Sequence, residues 1–164
     1  MENLEELKKQ FEELGQKINE LENNLNNKNN RSRVNYDCEY YYINGYSGIA
    51  SDEECHTKLD KSRYNIGNYF KTKEEGEKVL EKLRIYIKLR DLAATLSENE
   101  PVDWSNPDQY KFYIYYDNHY NSLLQGSLCY TKNAGCIYCT SSKFLDVAIE
   151  EIGEEKLKEL FENE

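Results

Sequence analysis

The sequence predicts an α+β fold: an N-terminal coiled-coil helix, followed by a mainly antiparallel sheet with two strand-then-helix units packed on it. Apolar residues recur every three and four positions over the first 25 residues, which is the period of a left-handed coiled coil. Farther along, Tyr- and Ile-rich stretches that favour strands alternate with segments of helical period. We therefore expect a coiled-coil oligomerisation helix over residues 1–27, a linker over 28–33 and an α+β core domain over 34–164.

The coiled-coil prediction rests on seven apolar residues that occupy a and d positions over about three heptads. Every d position is Leu, which is compatible with a parallel dimer, so we expect a homodimer. A helix that folds back on its own domain is the alternative, although such a helix usually has a wider apolar stripe. The seam residues are Leu4, Leu7, Phe11, Leu14, Ile18, Leu21 and Leu25.

The core domain is expected to begin with a β-hairpin over residues 38–51, since Tyr and Ile favour strands and Asn44-Gly45 favours a tight turn. The polar segment 51–63 is predicted to be a loop. Residues 64–71 are predicted to form the next strand.

A long helix is expected over about 73–96. Thr72 is its natural N-cap, because Glu75 follows at the spacing of a capping box. Apolar residues on two sides of this helix predict that it is covered on two sides. Residues 97–109, with two prolines and several turn formers, should form a loop.

Residues 110–117 and 127–141 look like strands, with one turn between them over 118–126 and a second turn at 132–135. A second helix should follow over 142–152, capped by Thr140 or Ser141, and Gly153 should end it before one more short amphipathic stretch. When the two helices are aligned from their caps, the apolar positions coincide but the polar ones do not. The repetition therefore indicates shared packing and not a shared catalytic site.

Composition narrows the classes of function. The formal net charge is −10, whereas nucleic acids and anionic lipids bind basic surfaces, so neither is expected as a direct partner. The alternative to a role in partner binding is that the negative charge only maintains solubility. No apolar run approaches the roughly 20 residues that span a bilayer, so no membrane partner is expected. The odd number of cysteines, five, favours free thiols in a reduced cytoplasm.

Cys136 and Cys139 have the spacing of a metal or redox motif. A structural zinc usually needs four ligands, often from two such pairs, and residues three apart in a strand point to opposite faces. We therefore expect no metal and no cofactor, with a small enzyme or zinc protein as the open alternative. Cys55 and His56 lack a visible third group that would orient them for catalysis. Without a nucleotide-binding or hydrolase motif, a non-enzyme is expected.

The candidate binding surface combines tyrosines with an acidic loop around the only Trp. The chain has 15 tyrosines, and alternation along a strand would turn half of each cluster away from the core. Exposed Tyr and Trp are frequent anchors of protein interfaces. The alternatives are a Tyr-rich solvent face and a Trp that plugs the edge of the core. The candidate partner-binding residues are Glu98, Glu100, Asp103, Trp104, Asp108, Tyr113 and Tyr115.

Three stretches carry a resemblance to a known group: "RYNIGNYFKTKEEGEKVLEKLRI", "YKFYIYYD" and "AIEEIGEEKLKELF". In their amino-acid sequence and in their order along the chain, these stretches resemble small uncharacterised proteins of phages and prophages of low-GC Gram-positive bacteria. The resemblance covers roughly residues 36–164. The resemblance brings no functional residues with it. It implies a mobile-element origin, and proteins of that setting often act against host defence.

These observations lead to one expected function and, besides the small enzyme or zinc protein that would use Cys136 and Cys139, one further alternative. The expected function is a non-enzymatic, anti-CRISPR-like inhibitor in the cytoplasm of a bacterial host cell. Its acidic surface would act as a DNA mimic and occupy the basic groove of a defence nuclease or complex. The alternative is a coiled-coil adaptor without inhibitory activity.

Overall fold

A computed structural model describes residues 32–161, together with residues 14, 15 and 17. The described residues contain four helices and two small antiparallel sheets, which confirms the α+β class. Apart from Leu14, the heptad seam lies outside the described residues, so the coiled coil and the homodimer stay predictions. The elements in chain order are β1 (Glu39–Ile43), β2 (Ile49–Glu53), α1 (Lys58–Ile66), α2 (Lys73–Leu96), β3 (Lys111–Asp117), β4 (Ser122–Leu128), α3 (Phe144–Ile152) and α4 (Glu154–Phe161).

The chain divides after Glu77 into two compact units, so α2 begins in the first unit and ends in the second. In the first unit, β1 and β2 form the expected hairpin, with Ile43 opposite Ile49. The tight turn predicted at Asn44-Gly45 is wrong, because five residues separate the strands. The Asn44 side chain accepts hydrogen bonds from the amides of Tyr46 and Gly48, at 2.9 and 3.1 Å, and so supports a wider loop.

The loop predicted over 51–63 is also wrong. It contains the end of β2 and most of α1. Thr57 and Asp60 form a capping box at the start of α1, and Gly67 ends the helix in the left-handed region with φ 85°. The helix is largely polar, so it lacks the apolar period that sequence analysis relies on. The feature of the sequence that indicates this helix is its capping box, Thr57 and Asp60.

The strand predicted over 64–71 is reduced to one bridge. Residues up to Ile66 belong to α1. Only Phe70 pairs with β1, through Tyr41, with reciprocal backbone hydrogen bonds of 2.8 and 2.9 Å. The aromatic residues at 69 and 70 are nevertheless buried, because they pack into the first unit without needing a strand.

The prediction for α2 is confirmed from Lys73 to Leu96. The Glu75 amide donates to Thr72 Oγ1 at 3.2 Å, and the Thr72 amide donates to Glu75 Oε2 at 3.3 Å. Gly76 permits close approach to the hairpin, since a Cβ there would lie 3.1 Å from both Ile49 and Phe70.

The covering of α2 differs from the prediction. Ile85 and Leu89 lie in the hydrophobic core of the second unit. On the other apolar side, Val79, Leu83 and Ile87 remain exposed within the described part of the chain. Gly76 and Leu80 of the same side are buried, so among the described residues this side is covered only in part.

In the second unit, β3 is confirmed, but its partner is not the predicted segment. β4 lies where a turn was expected, and Tyr113 of β3 stands opposite Gly126 of β4. The segment 129–141 contributes only one bridge, between Cys139 and Phe112. The Leu, Gln and Gly of β4 have weak strand propensity, so pairing with β3 decides its conformation.

The C-terminal helices follow the prediction except at the cap. Gly153, with φ 98°, separates α3 from α4. Lys143 is the N-cap residue of α3 and its side chain makes no capping hydrogen bond, so the predicted cap at Thr140 or Ser141 is wrong. No helix of the described residues combines the length and apolarity needed to cross a membrane.

The buried core of the described second unit lies between α2, β3, β4, α3 and α4. Each unit also pairs the first strand of its hairpin with a single residue that precedes a helix, Phe70 in one and Cys139 in the other. The repeated sequence pattern thus corresponds to a repeated packing arrangement. The core residues of the second unit are Ile85, Leu89, Ala93, Ile114, Leu123, Cys139, Phe144, Ala148 and Leu157.

Candidate functional site: an aromatic row beside an acidic loop

The structure brings together three of the predicted partner-binding residues through a fourth that the sequence did not single out. The rings of Tyr138 and Trp104 form a T-shaped contact with centroids 4.9 Å apart, and the Tyr138 ring also lies 5.9 Å from the Tyr113 ring. Tyr113 in turn lies 5.8 Å from Tyr115. We call Trp104, Tyr138, Tyr113 and Tyr115 the aromatic row.

Alternation along β3 places the row on the face of the hairpin opposite the core. Ile114 is 6% exposed, whereas Tyr115 is 37% exposed. Side chains at successive strand positions point to opposite faces, so the core takes Ile114 and leaves its neighbours Tyr113 and Tyr115 outside. Because each residue of the row touches a neighbouring ring, the row offers a connected aromatic surface to a partner.

Gly126 of β4 positions Tyr113, because glycine has no side chain and leaves room for the Tyr113 ring. A Cβ at Gly126 would lie 2.6–2.7 Å from the Tyr113 ring carbons and hydroxyl, which means that the ring lies directly on the Gly126 backbone. An aromatic residue opposite Gly is a recurrent way to cover exposed backbone in a sheet. Gly126 therefore sets the height of Tyr113 above the hairpin.

We expect Gly126→Val to displace the Tyr113 ring from the row while the hairpin persists. Val favours strands, so its propensity partly offsets the steric cost. The ¹H shifts of the Tyr113 and Tyr138 rings should change, because the two rings shield one another. Gly45→Val is the control, since nothing lies within 4 Å of a Cβ at Gly45. Unchanged ring shifts in Gly126→Val would contradict this account of the contact.

Two lysines from outside the acidic loop lie over Trp104. Lys111 Nζ is 5.5 Å and Lys132 Nζ 5.7 Å from the ring centroid, within the range of cation–π contacts. Lys111 is fully buried and donates to the Asn106 carbonyl at 2.8 Å and the Cys129 carbonyl at 3.3 Å. The surroundings of Trp104 are thus not purely acidic, although residues 97–109 contain no basic residue. Lys111 could have been predicted to lie near this site, because residues two apart in a strand share a face and Tyr113 is two positions away.

Trp104 itself is half-buried. Among the described residues it does not belong to the hydrophobic core of the second unit. Its ring packs instead against Tyr138 and the two lysine ammonium groups. Trp104 therefore forms one end of the aromatic row, outside the core and partly covered by these neighbours.

The loop around Trp104 is held by side-chain hydrogen bonds. Buried Gln109 accepts from the Asp103 amide at 2.7 Å and donates to Glu100 Oε1 at 3.1 Å. Asp103 Oδ1 accepts from the Ser105 hydroxyl and amide, which lowers the pKa of Asp103. The loop thus keeps a fixed shape, and the lowered pKa keeps the Asp103 carboxylate ionised at neutral pH. All four predicted acids are exposed: Glu98, Glu100, Asp103 and Asp108.

A second exposed acidic surface covers α3 and α4. Its two lysines are engaged with acids: Lys158 Nζ lies 2.9 Å from Glu154 and 3.1 Å from Glu155, and Lys156 Nζ lies 4.0 Å from Glu81. The exposed acids of these helices are Asp146, Glu150, Glu151, Glu154, Glu155 and Glu159.

The two thiols of the Cys136–Cys139 motif differ in their burial. Cys139 is fully buried, and its Sγ accepts from Ser97 Oγ at 3.5 Å and from the Ser141 amide at 3.3 Å. Cys136 is half-buried. Within the described residues, no group of three or more His, Cys, Asp or Glu side chains is arranged to hold a metal ion.

Cys55 and His56 are not arranged as a nucleophile and base. Burial and the nearby carboxylates, Asp37 first among them, raise the pKa of the Cys55 thiol, whereas a reactive thiol needs a lowered pKa. His56 Nδ1 lies 3.4 Å from Glu54 Oε1, and its ring packs against Tyr36.

The first unit contains a buried polar network that sequence analysis missed. Fully buried Glu54 accepts from Arg33 Nε at 2.8 Å, from the Tyr69 hydroxyl at 2.8 Å and from the His56 amide at 2.8 Å. Burial raises the pKa of Tyr69, and the hydrogen bond to Glu54 raises it further. All these groups are paired with one another, so the network has a structural role.

A second part of the network centres on Asp60. Tyr40 stacks on Tyr69 at 4.1 Å and donates to Asp60 Oδ1 at 2.8 Å. Burial alone would raise the pKa of Asp60, but hydrogen bonds, those from Thr57 foremost, outweigh it and lower this pKa to about 2. Burial raises the pKa of Tyr40 to about 12. The carboxyl therefore remains ionised and the phenol neutral over the physiological range.

Taken together, the described residues define an α+β protein that carries an aromatic row beside an acidic loop. No protein-family model, curated protein or solved structure matches this chain.

Proposed function

We propose that this chain is a non-enzymatic binding protein that docks on a basic surface of a protein partner through the aromatic row and the acidic loop. The observation that best supports this proposal is the continuous ring contact from Trp104 through Tyr138 and Tyr113 to Tyr115. The row adjoins a loop of exposed carboxylates. Connected aromatic side chains supply interface area at low entropic cost. Carboxylates at the periphery speed association with a basic partner.

We further propose that the partner is a nuclease or complex of a bacterial defence system, which this protein inhibits by occupying a groove for nucleic acid. The net charge of −10 supports a basic partner. The resemblance to phage and prophage proteins supports the setting, which is the cytoplasm of a bacterial host. The heptad seam supports a homodimer, which would present the surface twice.

The test is a pull-down from a bacterial host that carries defence systems, followed by binding kinetics with the captured protein. Association should slow markedly with added salt, since screening shortens the reach of the charges. Neutralising Glu98, Glu100, Asp103 and Asp108 by amide substitutions should lower the on-rate. Trp104→Ala should raise the off-rate, with a loss of roughly 2 kcal/mol or more if Trp104 is an interface anchor.

Two controls separate binding from stability. Thermal unfolding of the same variants tests whether Trp104→Ala only destabilises the protein and leaves the affinity of the folded fraction unchanged. Nuclease assays separate an inhibitor from an adaptor, because an adaptor would bind without changing activity. An affinity that is flat with salt and indifferent to both sets of substitutions would refute the proposed surface.

A further inference from the structure

The outer edge of β3 has main-chain groups without partners. Phe112 exchanges two backbone hydrogen bonds with Cys139, at 2.7 and 2.9 Å, on the side of β3 that faces away from β4. Because alternate residues of an antiparallel ladder point to the same side, the N–H and C=O groups of Ile114 and Tyr116 also face that outer edge. Within residues 32–161, no backbone or side-chain group hydrogen-bonds to them.

The unpaired groups of Ile114 are also withdrawn from water, since the whole residue is only 6% exposed. Buried main-chain groups are normally paired with protein or water, and an unpaired one needs an explanation. No charged residue or proline lies between Phe112 and Tyr116, so this stretch lacks two of the residue types that usually prevent another strand from pairing.

A cavity of about 250 Å³ lies beside this edge. Ile114 itself is part of its wall, so the cavity adjoins the residue whose main-chain groups are unpaired. A second cleft of about 510 Å³ shares Tyr86, Cys136 and Ile137 with it. The cavity is large enough for an apolar side chain. Its side-chain lining is mainly apolar: Tyr86, Leu89, Ile114, Ile137, Leu160 and Phe161.

We propose that the outer edge of β3 binds an extended segment of a protein partner, which adds a strand by pairing with Ile114 and Tyr116 and inserts an apolar side chain into the cavity. Strand addition to an open edge, with a pocket for one side chain, is a common mode of peptide recognition. A helical segment of a partner would leave the main-chain groups of Ile114 and Tyr116 unpaired, because its own N–H and C=O groups bond within the helix. The proposal rests on the proposed function only in taking the partner to be a protein.

The test uses blocked synthetic peptides Lys-Val-Thr-Xaa-Thr-Val-Lys with the full chain. Xaa is Gly, Leu or N-methyl-leucine. The Leu peptide should bind roughly tenfold more tightly than the Gly peptide, because its side chain fills the cavity. N-methylation of the central residue should abolish this gain, since it removes a main-chain donor. Amide exchange at Ile114 and Tyr116 should slow by roughly tenfold or more in the complex. Phe112, which is already paired, should not change.

Two variants isolate the main-chain contact. Tyr116→Pro removes an outward N–H without removing a bond to β4, which an edge position tolerates. Tyr116→Ala removes the same side chain and keeps the N–H. We expect the Pro variant to bind the Leu peptide about tenfold more weakly than the Ala variant, as expected for a lost main-chain hydrogen bond. Should Tyr116→Pro fail to fold, the N-methyl comparison on the unmodified chain decides.

Several outcomes would overturn the proposal. These are no saturable binding of any peptide, equal affinity for all three, or equal binding by the two Tyr116 variants. Slow exchange of Ile114 and Tyr116 in the free monomer would mean that residues 135–138 already fill the edge. The same protection appearing only with self-association would assign the edge to a second copy. Trp104→Ala should leave peptide binding unchanged, so failure here and failure of the aromatic row as a docking surface are distinguishable.

Discussion

Replacing Arg33 by Met is expected to lower the free energy of unfolding by about 3 kcal/mol, because it leaves the charge of Glu54 buried and poorly compensated. Glu54 is fully buried, and Arg33 bonds to both of its carboxylate oxygens. The estimate lies at the low end of the range for broken buried pairs, since the Arg33 side chain is 21% exposed. The Tyr69 hydroxyl also remains bonded to the carboxylate.

Urea denaturation measures this effect as a shift of the midpoint at constant slope. Arg90→Met is the matched control, because the Arg90–Asp91 pair is mostly exposed and such pairs contribute about 0–1 kcal/mol. Arg33→Met combined with Glu54→Leu should recover part of the stability, since no unpaired charge is then buried. Equal, small losses in Arg33→Met and Arg90→Met would contradict the assigned role of the Arg33–Glu54 pair.

Replacing Phe144 by Ala is expected to destabilise the protein by about 3–5 kcal/mol, the usual cost of removing a fully buried aromatic side chain. Phe144 is the first residue of α3 and is fully buried in the core of the second unit. Ala favours helices at least as well as Phe does, so the loss would report the cavity and not the helix. The same denaturation experiment measures it.

Leu145→Ala serves as the control for Phe144→Ala, because Leu145 is the next residue of α3 and is only partly buried. Its loss should be clearly smaller, since less apolar area returns to water. A cost for Phe144→Ala no greater than that for Leu145→Ala would show that α3 does not pack on the core through its first residue.

Helix boundaries with local chemical signals could be predicted from the sequence. The Thr72–Glu75 capping box and the break at Gly153 involve residues within a few positions of one another, so the sequence contains both partners of each interaction. The same reasoning applied to Thr57 and Asp60 would have found α1. The helix α1 was missed because helices were predicted mainly from the spacing of apolar residues, and α1 has few apolar residues at helical spacing.

Strand pairing was less predictable, because a strand depends on a partner that is distant in sequence. β3 was recognised from its own alternation, whereas β4 has weak propensity and forms against β3. The segment 127–141 looked strand-like, yet after Leu128, where β4 ends, only Cys139 pairs. Backbone geometry decides where pairing stops, and residue type alone does not contain that information.

The sequence by itself determined the α+β class, the outward face of β3 and the residues of the acidic loop, because these follow from periodicity and composition. Only the tertiary structure decided that Tyr138 connects Trp104 to Tyr113, that Lys111 lies over the Trp104 ring, and that Glu54 is buried with Arg33. Glu54 and Arg33 are 21 positions apart and Tyr138 and Trp104 are 34 positions apart, whereas Lys111 is 7 positions from Trp104. Their geometry depends on how separate elements pack, and packing is a property of the folded chain that no local window of sequence contains.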